Sequence, residues 1–371
     1  MEIAKPLYSY AEINLSSLKR NYGYLCSLNK GKIPICVLKD DAYGHGIAEC
    51  ARALWEEGAR HFAAACVREA VKIRKSGIDG EVLILGYVAN EDIPTLLKED
   101  ISACVYSVSF AKMLNAKALE RGIRAKAHIA LNTGLNRLGF DCTGSAFKNR
   151  IRQLAALEGL DICGAYTHYA AADEKDEAGC RQQQRIFEEG LRLIRGEGLF
   201  PDTVHVSNSA AAMWLGCACE NAFRAGISLF GVSPLPEGEN ENRLYPVMSF
   251  KTRVVNIVNV KKGSGIGYGG NFTAQRDMRL AILCAGFAQG YFRGLSKGAY
   301  ALLHGRRAAV AGSVCMDMMS VDITEIEGVH VGDEAELFGQ GIKVRELSGT
   351  LSTVCDELLC AVGRNAERVY I

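Results

Sequence analysis

The sequence predicts an α/β fold in which an eight-stranded (β/α)8 barrel of the TIM type is followed by a mostly β C-terminal domain. Two observations support this prediction. Strand-like apolar runs alternate with amphipathic, helix-like stretches over the first two thirds of the chain, which is the pattern of a closed parallel barrel. The last third contains short strand-like runs separated by glycine turns, which indicates a separate β domain.

Eight strand-like segments make up the predicted barrel, and the last of them is the shortest. They are residues 33–39, 61–67, 81–87, 101–107, 124–131, 160–169, 203–208 and 221–224. Helix-like stretches such as residues 46–57 and 181–195 separate them. Function in such barrels gathers at the C-terminal ends of the strands and in the loops that follow. The strand count therefore predicts where functional side chains lie.

Five polar side chains stand at these predicted strand ends. Lys39 ends the first strand, Arg137 follows the fifth, His168 lies near the end of the sixth, Ser209 follows the seventh and Arg224 ends the eighth. If the eight strands close into a barrel, all five lie on one rim. Each residue taken alone is more commonly a solvated charge, a helix cap or a core histidine. It is their shared placement that predicts a site.

A polar segment rich in turn-forming residues, 235–242, reads as a linker between the two domains. We expect the barrel domain to occupy residues 1–234 and the β domain residues 246–371. Within the β domain, strands are predicted at 247–260, 279–287, 300–304, 308–311, 318–323 and 334–338, with a helical stretch near 344–360.

Composition and charge exclude several classes of protein. The 371 residues are 49% hydrophobic and 23% charged, with a net charge of +1, so the chain offers no basic patch for nucleic acid or anionic lipid. The fourteen cysteines lie mostly within apolar runs, which indicates reduced thiols and a cytoplasmic protein. Cys217-Ala218-Cys219 lacks the spacing of a zinc site, and no metal is expected. No apolar run is long enough to span a bilayer, while a preceding membrane domain is left open.

Lys39 is the residue on which the predicted chemistry depends. It ends the apolar run 33–38 and is followed at once by a loop punctuated by Gly44 and Gly46. A lysine exposed over a cleft can form a Schiff base with a carbonyl, once its ammonium loses a proton beside other cations or in a dry pocket. Tyr43, four residues on, can hydrogen-bond an anion near the same opening.

The segment around Lys39 resembles the lysine motif of a known family. Val37-Leu38-Lys39 followed by Ala42-Tyr43-Gly44-His45-Gly46 is similar to the pyridoxal-phosphate motif of the alanine racemase family, and the similarity runs from about Tyr8 to Tyr370. The resemblance implies the same two-domain fold, pyridoxal 5'-phosphate as the cofactor and a small amino acid as the substrate.

The resemblance also assigns the cofactor contacts. It implies that the phosphate is held by the Tyr43 hydroxyl, by Ser209 and by the amides of Gly226 and Ile227. The loops after strands seven and eight are common phosphate sites in such barrels. For Ser209 a plain helix cap, and for Gly226 a packing glycine, are the structural alternatives.

Two further residues are assigned to the pyridine ring by the same resemblance. Arg224 faces the ring nitrogen, and because a guanidinium does not readily give up a proton, the ring stays unprotonated and is a weaker electron sink. This favours racemisation over transamination or decarboxylation. His168 lies beside the ring.

Racemisation needs an acid or base on each face of the α-carbon. The resemblance implies that Lys39 serves one face and Tyr268, in Gly265-Ile266-Gly267-Tyr268-Gly269-Gly270, serves the other. In the family this tyrosine comes from a second subunit, so a homodimer with shared active sites is implied. Arg137 and the Met316 amide, the latter again from the partner subunit, are implied to bind the substrate carboxylate.

Three positions depart from the family pattern. Ala130 stands where members often carry a carbamylated lysine, so that either a bound anion or Asn132 is left to orient Arg137. Gln289 stands where an aspartate is common. Asp356 stands where a tyrosine usually precedes Glu357-Leu358-Leu359-Cys360, which leaves room and an acceptor for a substrate hydroxyl.

The Asp356 change resembles the serine racemases of vancomycin-resistance systems, whose pyridoxal domain is the cytoplasmic part of a membrane protein. We therefore expect the chain to racemise serine, and also alanine, and to supply D-amino acids for peptidoglycan precursors. Three alternatives stay open: an alanine racemase with little serine activity, a barrel-type pyridoxal-phosphate decarboxylase, which should carry an acidic residue in place of Arg224, and a non-enzymatic pyridoxal-phosphate carrier.

Overall fold

Strand β1 (Tyr10–Ile13) and helix α1 (Leu15–Leu28) are the first elements in the computed structural model, which describes residues 8–142, 144–236, 239, 241–270 and 272–371. The chain divides into two units. One contains the described residues up to Leu18, together with residues 43–46 and 245–371, and the other contains residues 19–42 and 47–244.

The second unit is built on eight parallel strands. They are β2 (Ile33–Val37), β3 (His61–Ala64), β4 (Glu81–Ile84), β5 (Ala103–Val105), β6 (Ala125–Asn132), β8 (Leu160–Tyr166), β9 (Thr203–His205) and β10 (Ala222–Ala225), while the short β7 (Phe140–Asp141) pairs with β6. Their order is β4-β3-β2-β10-β9-β8-β6-β5, and a parallel bridge between Leu83 and Ser102 joins the two ends of this sheet. The eight predicted barrel strands are thereby confirmed.

Helices and turns connect the barrel strands. They are α2 (Ile47–Glu56), α3 (Val67–Lys75), α4 (Ile93–Lys98), α5 (Val108–Glu120), α6 (Ser145–Ala155), α7 (Glu177–Gly196) and α8 (Ser209–Trp214). The longest, α7, turns Phe187, Leu191 and Ile194 inward, and the Asp176 carboxylate caps its first turn by accepting from Gly179 N at 3.0 Å. Strands such as β3 and β5 are apolar throughout their buried length because both faces of the sheet are covered.

The first unit is mostly β-sheet. It contains β1 and then β11 (Met248–Val260), β12 (Gly265–Ile266), β13 (Phe272–Thr273), β14 (Met278–Leu283), β15 (Tyr300–Leu303), β16 (Arg306–Ala309), β17 (Met319–Asp322), β18 (Glu334–Phe338) and β19 (Glu367–Tyr370), with helices α9 (Val344–Leu351) and α10 (Cys355–Asn365). The predicted mostly β character is confirmed, and the single helical stretch expected near 344–360 is two helices, separated by Ser352 with a positive φ of 52°.

Strand β1 pairs antiparallel with β11 and parallel with β19. The sequence placed residues 1–234 in one domain, whereas β1 lies in the sheet of the C-terminal residues. The physical reason is a pairing between segments about 240 residues apart, which no local pattern reveals. Of the predicted linker 235–242, residues 237, 238 and 240 lie outside the described residues.

The backbone immediately after Lys39 winds in the left-handed sense. Asp40, Asp41, Ala42 and Tyr43 have φ values of 53°, 56°, 58° and 52°, and none of them is a glycine. L-residues disfavour this conformation, so tertiary contacts must hold it. In the barrel unit, Glu69 is one such contact, since its carboxylate accepts from Asp41 N at 3.2 Å and from Ala65 N at 3.0 Å.

Candidate active site

Arg224, on β10, uses both of its Nη atoms in hydrogen bonds within the barrel unit. Only 3% of its surface is exposed. Its Nη1 donates to His205 Nδ1 at 2.8 Å and to His205 O at 2.9 Å. Its Nη2 donates to the carbonyl oxygens of Thr167 and Val206, each at 2.8 Å, and lies 3.1 Å from His168 Nδ1. Nε is left without a partner among the described residues, so one guanidinium N–H stays available for a ligand atom.

His168 is a buried histidine whose pKa is lowered by nearby positive charges. Burial, and then the charges of Arg224, Arg137 and Lys39, lower the pKa of His168 to about 3. Three cations from different strand ends therefore act on one imidazole. The imidazole is neutral at physiological pH and accepts from Arg224 at Nδ1, so its proton is on Nε2.

Behind Arg224 lies a pair of histidines that the sequence did not single out. His205 Nε2 is 2.9 Å from His128 Nδ1, and the His205 ring stacks on Tyr166 with centroids 4.8 Å apart. Burial lowers the pKa of His128 to about 3 and that of His205 well below its ordinary value. Gly164 is the sequence feature that points to His128. It is in register with His128 on the neighbouring strand, and an added Cβ there would overlap the imidazole.

His128 also lines a pocket at the opposite, N-terminal end of the barrel strands. The pocket has a volume of about 190 Å³ and is lined by His61, Glu81, Lys126 and other residues. A chain of polar groups, His128, His205 and Arg224, thus runs along the barrel interior from this pocket to the strand ends that carry the predicted site.

The loops after β9 and β10 are joined at Ser209, a buried residue that opens α8. Its Oγ accepts from Gly226 N at 2.8 Å and lies 3.5 Å from Ser228 N, and Ile227 opens the 3-10 turn Ile227–Phe230 that follows. The Ser228 hydroxyl is fully buried and has no hydrogen-bond partner among the described residues. A buried, unsatisfied hydroxyl beside the Ser209 contact calls for a polar ligand.

Glu220, which the sequence did not single out, supports this loop from behind. Its side chain is fully buried, and it accepts from Val206 N at 2.9 Å, from Ser207 N at 2.8 Å and from Ser207 Oγ at 2.8 Å. Lys32 Nζ donates to it at 2.9 Å. One carboxylate therefore sets the path of the chain just before Ser209.

Arg137 is exposed on the loop after β6 and makes no ion pair or hydrogen bond with any residue that the structure describes. Asn132 shapes this loop, because its Oδ1 accepts from Asn136 N at 2.9 Å and from Gly134 N at 3.3 Å, and its Nδ2 donates to Asn136 Oδ1. Asn132 thus orients the loop that carries Arg137, and its side-chain bonds are to loop residues.

Ala130 occupies an apolar position. It packs in a cluster with Cys104 and Tyr166, and the Tyr166 hydroxyl bonds Leu85 O at 3.1 Å and Cys104 Sγ at 2.8 Å. Side chains therefore fill the surroundings of the place where the family often carries a lysine.

In the other unit, Tyr268 and Met316 are strongly exposed, at 72% and 58%. Tyr268 follows Gly267, whose φ of 74° makes the tight turn between β12 and β13, and an added Cβ at Gly267 would touch Ser313 N. The loop that carries Met316 is held by Ala288 N, which donates to Met316 O at 3.0 Å. Both side chains project from adjoining loops.

Gln289 contacts the loop that carries Met316 through Asp317. Its Oε1 accepts from Gly286 N at 3.0 Å while its Nε2 lies 3.4 Å from Asp317 Oδ1. An amide can accept and donate at once, whereas an aspartate there would place a second carboxylate beside Asp317. This gives a physical account of the glutamine.

Tyr43 and Asp356 also lie in this unit. Tyr43 is 6% exposed and precedes Gly44, where an added Cβ would overlap Leu359 O in α10. The same close approach is seen from the helix, because a Cβ on Gly363 would overlap Gly44 O. Asp356 is half-buried in the first turn of α10. The Tyr43 segment therefore packs directly on the helix that carries Asp356.

The structure thus assigns the eleven predicted residues to two groups. Lys39, Arg137, His168, Ser209, Arg224, Gly226 and Ile227 lie in the barrel unit, and Tyr43, Tyr268, Met316 and Asp356 lie in the mostly β unit. Lys39 is half-buried after β2. Among the described residues, no group of three or more His, Cys, Asp or Glu side chains could hold a metal ion, and no helix is long and apolar enough to cross a membrane.

The residues at the barrel strand ends fit pyridoxal 5'-phosphate. The free Nε of buried Arg224 suits a ring nitrogen, neutral His168 adjoins it, and the unsatisfied Ser228 hydroxyl with Ser209 suits a phosphate. The three cations that act on His168 also match a ligand with several negative charges.

Comparisons with known proteins agree along the whole chain. Residues 13–234 match the family described as alanine racemase, N-terminal domain, and residues 247–370 match alanine racemase, C-terminal domain. The alanine racemase of Clostridium tetani is 36% identical over 368 residues, which cover 98% of this chain and 95% of that protein. Alanine racemase 2 of Caldanaerobacter subterraneus is 33% identical over 365 residues, or 97% and 94% of the two chains.

Solved structures are similar as well. The alanine racemase of Clostridium difficile 630 has a TM-score of 0.93 at 34% identity, and the match covers 100% of this chain and 97% of that one. The alanine racemase of Streptomyces lavendulae has a TM-score of 0.94 at 28% identity, with coverage of 99% and 98%.

Proposed function

Because the chain belongs to the alanine racemase family, we propose that it interconverts L- and D-serine, and also alanine, by proton transfer on both faces of the α-carbon. Pyridoxal phosphate is the family's cofactor, and when bound it supplies an electron sink for the substrate α-carbon. Lys39 would be its covalent anchor. Ser209, Tyr43 and the amides of Ile227 and Gly226, the latter now donating to Ser209 Oγ, would hold the phosphate, and His168 would contact the ring.

The single observation that supports racemisation most strongly is the environment of Arg224. Its Nη1 and Nη2 groups are taken by four acceptors other than His168, so only Nε–H is left to point at a ring nitrogen. Burial lowers the pKa of Arg224 to about 10, which still leaves it charged at neutral pH. A fixed cationic donor keeps a proton off the ring nitrogen, and this limits decarboxylation and transamination.

Lys39 Nζ and Tyr268 Oη are the two proton-transfer groups in this proposal. Each takes or returns the substrate α-proton on its own face. Tyr268 and Met316 are supplied by a second copy of the chain, which their exposure of 72% and 58% supports. A residue this exposed in one chain gains a dry environment only when a partner covers it. Arg137, which has no competing partner among the described residues, binds the substrate carboxylate through its planar fork.

The preference for serine rests on Asp356. A half-buried carboxylate at the start of α10 accepts a hydrogen bond from a substrate hydroxyl, which alanine lacks. Buried polar groups built for a hydroxyl discriminate more strongly than an apolar pocket does. The resemblance to the serine racemases of vancomycin-resistance systems rests on this same residue. The proposed role is D-amino acid supply for peptidoglycan precursors in the cytoplasm.

A second candidate function is alanine racemisation with little serine activity. It is favoured by the relatives named above, which are alanine racemases. The two candidates differ only in whether Asp356 contacts the substrate.

The test is α-carbon exchange in deuterated water. The protein loaded with pyridoxal phosphate is incubated with L-serine or L-alanine, and α-deuteration and both enantiomers are measured. We expect D-serine to form with kcat/KM at least equal to that for alanine, and no exchange with Lys39→Ala. Exchange with alanine alone would favour the second candidate. Carbon dioxide release would indicate a decarboxylase, and a cofactor spectrum without exchange a carrier.

A further inference from the structure

Cys217 and Cys219 form a sulfur pair in the loop between α8 and β10. Their Sγ atoms are 3.1 Å apart, with one thiol hydrogen-bonded to the other. Cys217 is buried, with 4% of its surface exposed, whereas Cys219 is half-buried and accessible from solvent. The hydrogen bond from Cys219 lowers the pKa of Cys217. The pair therefore combines an accessible sulfur with a neighbouring sulfur that readily becomes a thiolate.

The loop that carries this pair is tied to the proposed phosphate site. Lys32 Nζ donates to Cys217 O at 3.1 Å and to the Glu220 carboxylate at 2.9 Å. Glu220 follows Cys219 directly and holds Val206 N, Ser207 N and Ser207 Oγ. Ser207 O in turn accepts from Arg224 N at 2.9 Å. A change in the backbone at 217–219 is therefore passed to the segments that carry Ser209 and Arg224.

We propose that Cys217 and Cys219 are a reversible redox site, whose disulfide weakens the hold of the chain on the cofactor phosphate. This uses the family cofactor and does not depend on whether the substrate is serine or alanine. A disulfide brings the two sulfurs to about 2.05 Å, roughly 1 Å closer than in the dithiol. The tightened loop pulls Glu220 away from the Val206 and Ser207 amides.

The oxidant is a low-molecular-weight disulfide. The hydrogen bond that lowers the pKa of Cys217 raises that of Cys219, so Cys219 Sγ attacks one of its sulfurs as its proton passes to the Cys217 thiolate, and the first small thiol leaves as a thiolate. This leaving thiolate takes the proton from Cys217, whose Sγ then attacks Cys219 Sγ in the mixed disulfide, and the second small thiol leaves. Two cysteine thiols are oxidised, one disulfide is reduced to two thiols, and the two cysteine protons end on the leaving groups.

Peptide mapping can detect this disulfide directly. Trypsin releases residues 196–224 as one peptide, and its only cysteines are Cys217 and Cys219. The holoenzyme is treated with oxidised glutathione, blocked with an alkylating reagent and digested. We expect this peptide to lose about 2 Da, the mass of two hydrogens, and to resist alkylation. We also expect the apparent Kd for pyridoxal phosphate to rise several-fold and to recover with a dithiol.

Matched variants separate this site from the other thiols. Cys217→Ser and Cys219→Ser should keep the cofactor affinity of the reduced protein and lose the response to oxidised glutathione, whereas Cys26→Ser, which removes another half-buried thiol, should keep the response. Full alkylation of the wild-type peptide after oxidation would overturn the proposal. A disulfide that leaves the Kd unchanged would also overturn it, and peptide mapping of the wild-type protein gives this answer even if a variant fails to fold.

Discussion

Arg224 Nη1 donates to His205 Nδ1 over 2.8 Å, and this one bond determines where the protons of two histidines lie. A guanidinium can only donate, so His205 Nδ1 is an acceptor and its proton is on Nε2. His205 Nε2 then donates to His128 Nδ1 at 2.9 Å, so the His128 proton is also on Nε2. Both imidazoles are neutral, and neither can take up a second proton without breaking the chain to Arg224.

Removing the acceptor on His205 should impair catalysis through Arg224. His205→Phe keeps an aromatic ring that can stack on Tyr166, but it lacks the acceptor nitrogen Nδ1. A hydrogen bond to a charged group contributes about 1.5–3 kcal/mol, so we expect kcat to fall roughly 10- to 100-fold, together with an altered absorbance of the bound cofactor. His205→Asn, which restores an acceptor, should recover part of the rate. Equal loss in both variants, with an unchanged spectrum, would contradict a positioning role.

Stability should fall in mild acid. In the unfolded chain the ordinary histidine pKa is about 6.5, while His128 and His168 have folded pKa values of about 3. Between pH 6.5 and 3 the unfolded state binds more protons, so the free energy of unfolding decreases as pH falls. Each histidine should contribute a loss of about 2 kcal/mol between pH 7 and pH 5.

Urea unfolding at several pH values measures this loss. The variant His128→Asn has no imidazole to protonate at that position, so its stability should depend less steeply on pH than that of the wild type. Parallel pH curves for the two proteins would show that folding does not shift the pKa of His128, and would contradict this prediction.

Glu220→Gln should be strongly destabilising. The carboxylate is fully buried and accepts from two amides, one hydroxyl and Lys32, whereas the amide of glutamine would turn a donor toward other donors. Breaking a buried ion pair in this way costs about 3–5 kcal/mol. Glu49→Gln, which removes an exposed pair with Arg52, is the control and should change stability by less than about 0.5 kcal/mol. Similar urea midpoints for both variants would refute the anchoring role.

Asp356→Tyr should move substrate preference from serine toward alanine. The phenol fills the space next to the proposed hydroxyl contact and removes the carboxylate acceptor. We expect the serine-to-alanine ratio of kcat/KM to fall at least roughly tenfold. Asp356→Asn, which keeps the size and one acceptor oxygen, is the matched control and should retain most of the ratio. The serine assignment fails if the tyrosine variant leaves the ratio unchanged.

Much of the barrel could be read from sequence because each strand carries its own apolar run. The eight strands, and the placement of Lys39, Arg137, His168, Ser209 and Arg224 at their ends, needed only local patterns and one topological rule. The bond between His205 and Arg224 could not be foreseen, because it depends on which inward-facing side chains meet across the barrel. Glu220 was missed for the same reason, since a buried glutamate is recognised only by its partners.

Other features escaped prediction because the local sequence does not encode them. The pairing of β1 with β19 joins residues about 350 positions apart. The turn after Lys39 has no glycine at 40–43 to announce positive φ values, and it exists because Glu69 and its surroundings hold it. Gln289, which had no explanation from sequence, became interpretable once Asp317 and Gly286 were seen as its partners.

The reversed winding after Lys39 makes the placement of this lysine depend on a residue remote in the sequence. Each non-glycine residue in that conformation is disfavoured by about 1–2 kcal/mol, so residues 40–43 do not favour it on their own. Glu69, 30 positions after Lys39, accepts from the Asp41 amide and helps to hold the turn. A substitution at Glu69 would therefore act on Lys39 through the backbone.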